Sequence, residues 1–275
     1  MKKKKNYFPA IDGLRLMASI NIVLLHLASS SAFDYAAKWT WLKPIVSGPA
    51  FSAGLFFVLA GFLFASKFSD PDRRIAVLPF VFSRISKLYR LHFICTILMF
   101  AAIAVKIGGI DKMEHPIRSL LLHLSLLWSL VPDLGMKLNE PSWALTGFFI
   151  CYALTPWTTK KLFKIESVKV LWFLFFLVFV PGVIQGWIFG SHDFLNDADY
   201  ARRFRFFHMF PVIHICEYFF GMIIFRLYQK KQFVFLEKNY VAGFCQLFLF
   251  VALYIVCYLS QNSVSDPRLY FIVRH

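Results

Sequence analysis

Seven ionisable side chains stand inside long apolar stretches of this sequence, which makes them the first places to look for chemistry. They are Arg15, His26, His92, His123, His208, His214 and Glu217. If these stretches lie in a bilayer, each such side chain costs a few kcal/mol to insert and needs a partner or a function. These positions are therefore candidate site residues. For the histidines other than His26, a packing or interface position is the favoured interpretation.

The spacing of Arg15 and His26 places both on one face of a helix. They are eleven residues apart, almost three turns, and so roughly 16 Å apart along the helix axis. Such a face carries a fixed cation and, deeper in the membrane, a neutral imidazole that can accept a proton from an attacking hydroxyl. The pair suits a long donor with an anionic head. The alternative is an Arg15 that extends to the interface as an anchor and a His26 at the opposite interface.

The composition indicates which elements position these residues. The chain has 275 residues, of which 59% are apolar and 16% charged, against about 25% charged in soluble domains. So much apolar surface excludes an ordinary soluble enzyme and a disordered chain, because water would not tolerate it exposed. We predict an all-α integral membrane protein, a polytopic helical bundle that forms a single transmembrane domain over residues 1–275.

About eight hydrophobic segments are candidates for membrane spans, since roughly 20 apolar residues cross a bilayer as a helix. They are Leu14–Ser30, Pro44–Ser66, Leu91–Val105, Ser119–Pro132, Pro141–Thr159, Val170–Ser191, Phe206–Phe225 and Asn239–Ser265. The five cysteines lie within apolar runs and lack metal-ligand spacing, so no metal site is predicted.

The net charge of +15 comes from cations in loops and at segment ends, as is typical of membrane topology signals rather than of a nucleic-acid surface. We expect a cytoplasmic N-terminus. If every segment crosses, however, the basic loops at 160–169 and 226–238 fall on the outer side, which the charge bias disfavours. Dropping one span, either Ser119–Pro132 or the segment that follows it, removes this conflict but places Arg202, Arg203 and Arg205 on the outer side. The parity of the spans therefore stays open at this point.

Four short motifs stand in order along the first part of the chain. They are Ile11–Arg15 followed by His26, Phe56–Leu63, Phe82–His92, and Pro141–Thr146 followed by Tyr152 and Pro156. In this order they resemble the R-x10-H, F-F-V-L-S-G-F-L, R-x-x-R-x-Y-P and P-S-W-S-L-S motifs of the membrane-bound acyltransferase-3 family. The resemblance covers residues 7–157 well, and the region around Glu217 more loosely.

The resemblance implies an enzyme of a bacterial inner membrane. Such proteins move an acyl group, usually acetyl from acetyl-CoA, to a hydroxyl of an extracytoplasmic glycan or lipid-linked glycan. By this resemblance His26 is the catalytic base and Arg15 positions the donor. Acyl-CoA is then a donor substrate and no cofactor is held permanently. The partners are the donor, the glycan acceptor and membrane lipid.

Further roles follow for other residues of the matched motifs. Arg84, Lys87 and Arg90 could hold CoA phosphates, because Arg matches phosphate oxygens bidentately, or could act as plain positive-inside anchors. Ser142, Trp143 and Glu217 are predicted to bind substrate.

The sequence departs from the family pattern in ways that keep other functions open. Ala60 replaces the usual Ser, Arg90 the usual Pro, and Phe148 stands where the family commonly has Glu, for which Glu217 is a candidate substitute. The family usually has about ten spans, so C-terminal helices are expected to be missing. A transporter or flippase and an inactive relic of an acyltransferase are the alternative functions.

Overall fold

The computed structural model describes residues 8–28, 51–70, 75–131, 138–184 and 209–237, with six single residues between 245 and 255. These residues form helices and connecting turns. Seven α-helices are placed: α1 Pro9–Ala28, α2 Phe51–Lys67, α3 Val77–Ile107, α4 Pro116–Leu124, α5 Trp143–Phe163, α6 Val168–Leu177 and α7 Pro211–Gln229. Short 3-10 turns lie at Ile110–Lys112, Trp128–Leu130, Glu140–Ser142 and Val234–Glu237.

Helical structure is confirmed in six of the predicted segments, which overlap α1, α2, α3, α5, α6 and α7. The segment Ser119–Pro132 was one of the two candidates for a span to be dropped, and the structure agrees with that alternative. Its helix α4 has nine residues and is about 13 Å long, far short of a 30 Å hydrocarbon layer. The predicted segment Asn239–Ser265 lies mostly outside the described residues.

Helix α3 is the one helix, among the residues placed, that is long and apolar enough to cross a membrane by length and composition. Its 31 residues extend about 46 Å, against about 30 Å for the hydrocarbon layer. The charged part Val77–Arg90 is about 20 Å long, and the apolar part from Leu91 to Ile107 is about 25 Å long. The basic part can therefore stand outside the hydrocarbon layer.

The chain divides into two compact units. The first comprises residues up to 71, residues 161–196 and residues from 216 onward, and it contains α1, α2, α6 and most of α7. The second comprises residues 72–160 and 197–215, and it contains α3, α4 and most of α5.

Ring contacts define the directions of the helices in the first unit. Phe8, just before α1, contacts Phe62 near the end of α2 (ring centroids 5.2 Å apart) and Tyr228 near the end of α7 (6.2 Å). Phe175 of α6 contacts Phe220 of α7 at 4.8 Å. Helix α7 therefore runs parallel to α2, whereas α1 and α6 run antiparallel to them.

Helices α2 and α7 cross at very close range through two glycines. A Cβ added at Gly61 would lie 2.9 Å from the carbonyl carbon of Tyr218 and closer still to its oxygen. A Cβ at Gly221 would lie 2.8 Å from the carbonyl carbon of Val58, again closer to the oxygen. Small residues at a helix crossing are the usual means by which membrane helices bring their backbones together.

One end of the first unit gathers basic segments, and we call it the basic end. It contains the start of α1, the ends of α2 and α7, and the turn between α5 and α6. Arg226 at the end of α7 donates to the carbonyls of Phe163 and Ile165, and it pairs with Glu166 at 3.1 Å. Lys230 also pairs with Glu166. The cations at this end are Lys67, Lys164, Lys169, Arg226, Lys230 and Lys231.

Within the first unit, the end of α2, the start of α6 and the end of α7 lie at this same end. Their cations are thus on one side of this unit, which is the arrangement that the positive-inside rule favours.

Candidate functional site

Helix α1 presents Arg15 and His26 on one exposed face. The helix is continuous from Pro9 to Ala28, and eleven residues of α-helix rotate the two side chains about 20° from each other. The buried stripe of α1 contains Ile11 and Ala18, which are 8% and 1% exposed. Arg15 and His26 border this stripe and are both exposed. The predicted common face is therefore confirmed, and its two ends lie roughly 16 Å apart.

Asp12 accounts for part of the environment of Arg15. Its carboxylate lies 4.0 Å from the Arg15 guanidinium, one turn along α1. Asp12 also lies in the first turn of the helix, where a negative charge is favoured by the helix dipole. With about half of each side chain exposed (44% and 56%), such a pair is worth little and leaves Arg15 able to bind another anion.

Glu217 lies in the same unit as Arg15 and His26, but its carboxylate rests against α2. The nearest part of α2 is Gly54, where an added Cβ would lie 2.8 Å from the Glu217 carboxyl carbon. Gly54 therefore leaves the space that the carboxylate occupies. Among the described residues, the carboxylate within ion-pair distance of Arg15 is that of Asp12.

The three predicted phosphate ligands of α3 form a spiral row rather than a cluster. Arg84, Lys87 and Arg90 are each three residues apart, so they rise about 9 Å and rotate about 120° around the helix. Lys87 and Arg90 are exposed, whereas Arg84 is half-buried with its guanidinium 5.8 Å from the ring centre of Phe80. The row lies in the basic part of α3.

Two buried histidines hold α4 against α3 in the second unit. His92 Nε2 donates to the carbonyl of His123 at 2.9 Å, and His92 Nδ1 accepts from the amide of Asn139 at 3.4 Å. His123 Nδ1 donates to the carbonyl of Ser119 at 2.8 Å, and His123 Nε2 accepts from the backbone N–H of Leu138 at 3.3 Å. Each ring thus uses one nitrogen as a donor and the other as an acceptor, which is the neutral form.

The packing interpretation of His92 and His123 is therefore confirmed. They are 4% and 0% exposed. His214 is also buried, and its ring lies 4.5 Å from that of Trp143. His208 lies outside the described residues. These rings stabilise the fold, and His26 is left as the exposed imidazole of the apolar segments that the structure describes.

Ser142 is a buried link between two turns. Its Oγ accepts a 2.8 Å hydrogen bond from Trp128 Nε1 and donates a 2.6 Å bond to the carbonyl of Asn139. The Trp128 ring also stacks on His123, with ring centres 4.7 Å apart. The hydroxyl is thus committed to structure, which favours a positioning role over direct contact with substrate.

Trp143 and Phe148 face apolar surroundings. Trp143 packs against the cluster of Trp128 and Met209. Phe148 stacks on Tyr152 at 5.7 Å and borders a small void with a volume of about 10 Å³. The lining of that void is apolar apart from the tyrosines, so the position suits a phenyl ring and not the carboxylate that the family pattern would supply.

The structure groups the candidate residues by unit. Arg15 and His26 lie on α1, and Glu217 lies on α7 of the same unit. The structure places the row from Arg84 to Arg90 and the pair Ser142 and Trp143 in the second unit. Among the described residues, no group of three or more His, Cys, Asp or Glu side chains could hold a metal ion.

Three residues of the second unit were missed by sequence reasoning. Trp128 and Asn139 bind Ser142, and Thr146 donates a 2.6 Å hydrogen bond to the carbonyl of Leu126. Asn139 lies two residues before the Pro141–Thr146 motif and Thr146 is its last residue, so their proximity to the motif was the available signal. Trp128 gave no such signal.

Comparison with known proteins decides the family. A family model described as an acyltransferase domain matches residues 8–273. The chain belongs to the acyltransferase-3 family. The acyltransferase MdmB of Streptomyces mycarofaciens is 28% identical over 168 residues, which cover 60% of this chain and 42% of that protein. The match thus spans less than half the length of this curated relative. No solved structure matches the chain.

Proposed function

We propose that this member of the acyltransferase-3 family transfers an acetyl group from acetyl-CoA to a hydroxyl of an extracytoplasmic glycan. The observation that carries the proposal is the exposed face of α1, with Arg15 toward one end and His26 toward the other. Family membership supports acyl transfer as the reaction class.

The direction of α1 supports this assignment of roles. Phe8 lies at the basic end, which the positive-inside rule assigns to the cytoplasm. Arg15 is then about 10 Å along the axis from Phe8, and His26 is about 27 Å along it. In this proposal the Arg15 guanidinium lies near the cytoplasmic side, which supplies acyl-CoA, and the His26 imidazole lies near the opposite side, where the acceptor binds.

In the proposed reaction His26 acts on the acceptor. Its imidazole takes the proton of the acceptor hydroxyl as the oxygen attacks the thioester carbonyl carbon. The carbon–sulfur bond breaks, the acyl group forms an ester with the acceptor, and the proton that His26 took passes to the departing CoA thiolate, which leaves the imidazole neutral again. Arg15 binds an anionic part of the donor, and its planar fork of donors suits phosphate oxygens.

The row Arg84, Lys87 and Arg90 supports CoA binding by its position. These cations lie in the part of α3 that exceeds the thickness of the hydrocarbon layer. Phosphates in the aqueous phase can reach them there. A positive-inside anchor would have the same location, so charge-conserving variants are needed to separate the two roles.

The test is mass spectrometry of cell-surface glycans from cells with and without the gene, which identifies the acceptor and the acyl mass together. We expect the wild-type gene to add one acyl mass to the acceptor. His26→Ala should lower the yield by about 10²- to 10⁴-fold, the usual contribution of a general base, at equal protein in the membrane. Arg15→Lys should raise the donor concentration needed in isolated membranes, because lysine lacks the fork.

A second exposed histidine provides the matched control. His115 precedes α4 and has a φ of 47°, a left-handed conformation that asparagine tolerates. His115→Asn therefore removes an exposed imidazole without straining the backbone and should leave the acyl modification unchanged. Full activity of His26→Ala, or equal losses in both histidine variants, would reject His26 as the base.

A further inference from the structure

An open groove lies at the basic end of the first unit. Phe62, Tyr228, Phe233 and Val234 form most of its apolar wall, and Lys231 stands at its edge. Its volume is about 570 Å³, within the range of roughly 300–1,000 Å³ that is common for small-molecule sites. The groove can therefore accept a flexible apolar chain that ends in a polar head.

Lys231 has a backbone conformation that lysine seldom adopts. Its φ is 55°, in the left-handed region. It follows the end of α7, where its N–H donates to the carbonyl of Tyr228 at 2.9 Å and the next N–H, of Gln232, donates to Leu227 at 3.1 Å. Glycine or asparagine is the usual residue at such a helix end. Lysine is therefore not the residue that this backbone conformation favours, and asparagine can replace it without strain.

The charges around the groove favour an anionic ligand. Arg226 and Lys230 are both paired with Glu166. Lys231 is exposed, and within the part of the chain that the structure describes it forms no ion pair. The groove thus combines an apolar wall with one available cation at its edge.

We propose that this groove binds an anionic phospholipid of the leaflet at the basic end, with an acyl chain along the aromatic wall and the headgroup phosphate against Lys231. The basic end points to the cytoplasmic leaflet, where anionic lipids attract basic segments. The site is separate from the exposed face of α1 that carries Arg15 and His26. Lipid binding is therefore independent of the proposed acyl transfer.

The test is lipid titration of the purified full-length protein in detergent, followed by native mass spectrometry. Phosphatidylglycerol and phosphatidylcholine with the same acyl chains serve as the two probes. Lys231→Asn keeps a residue suited to the left-handed backbone, so its thermal midpoint should equal or exceed that of the wild type. Lys169→Asn removes a cation of the same end that does not line the groove, and it is the matched control.

We expect the wild type to prefer phosphatidylglycerol, and Lys231→Asn to weaken its binding about fivefold, as expected for ~1 kcal/mol per lysine near an anionic lipid surface. Phosphatidylcholine binding and the Lys169→Asn variant should be unchanged. Equal binding of both lipids to the wild type would overturn the proposal, as would equal losses in the two variants. Displacement of the lipid by acetyl-CoA would also overturn it and assign the groove to the donor.

Discussion

The close crossing of α2 and α7 makes Gly61→Ala a sharp test of the first unit. The new methyl group would lie 2.9 Å from the carbonyl carbon of Tyr218, whereas carbon atoms in contact prefer about 3.5–4.0 Å. The obstacle is backbone, which cannot rotate away as a side chain can. The two helices must therefore separate by about 1 Å.

The cost can be estimated from the contacts that the separation weakens. A crossing built around Phe57, Tyr218 and Met222, each at most 1% exposed, has about 50 close atom pairs at about 0.15 kcal/mol each. A gap of 0.5–1 Å forfeits about a quarter to a half of each, or about 2–4 kcal/mol. Alanine recovers about 1 kcal/mol of helix propensity. We expect a net loss of about 2 kcal/mol.

Thermal unfolding in mild detergent, followed by tryptophan fluorescence, measures this loss. A loss of about 2 kcal/mol corresponds to roughly 4–8 °C for a chain of this size. The control is Gly13→Ala in α1, because nothing lies within 4 Å of a Cβ there. The double variant with Gly221→Ala should lose less than the sum of the single losses, since one separation relieves both clashes. Equal midpoints for Gly61→Ala and Gly13→Ala would refute the close crossing.

Three further predictions concern the second unit, the topology and the basic end. Ser142→Ala should lower stability by about 1–3 kcal/mol, because it leaves the buried Trp128 N–H without an acceptor, and adding Trp128→Phe should restore part of the loss in the same unfolding assay. Cysteines introduced at Lys164 and at Arg73 should react with an impermeant thiol reagent from the cytoplasmic side, and one at Lys38 from the other side; labelling of all three from one side would contradict the topology. The hydrogen bond and charge of Lys230 lower the pKa of Glu166, so the turn at Glu166 should lose its attachment to α7 only as the pH falls below the usual glutamate range. Hydrogen exchange of residues 163–167 measures this, and Glu166→Gln should show the acid-state exchange at every pH.

Periodicity and spacing predicted the helices that depend on local sequence. The common face of Arg15 and His26 follows from helix geometry alone, and the structure confirms it. The same reasoning left Ser119–Pro132 open, because its apolar residues look like part of a span although the segment is short. The chain turns at Leu126, whose φ is 59°, and polar groups from α3 and α5 bind the turn. Such tertiary hydrogen bonds leave no periodic trace in one sequence.

The candidate site was predictable to different degrees. Asp12 lies one turn from Arg15, so their pairing could be predicted. The position of the Glu217 carboxylate against Gly54 depends on a contact between α7 and α2. These two residues are more than 160 positions apart, and sequence spacing does not reveal such a contact. Ser142 was predicted to bind substrate, and its two hydrogen bonds, which favour a positioning role, join turns that the sequence does not show to be in contact.

The two units place different demands on synthesis at the membrane. Most of the second unit, namely α3, α4 and α5, is continuous in sequence and can pack early, and residues 197–215 join it later. In the first unit, Gly61 of α2 meets Gly221 of α7 about 160 residues later. The surface of α2 around Gly61 therefore remains uncovered until α7 has been synthesised. During that interval lipid or another membrane protein must cover this surface, so newly made chains should depend most on membrane chaperones before α7 arrives.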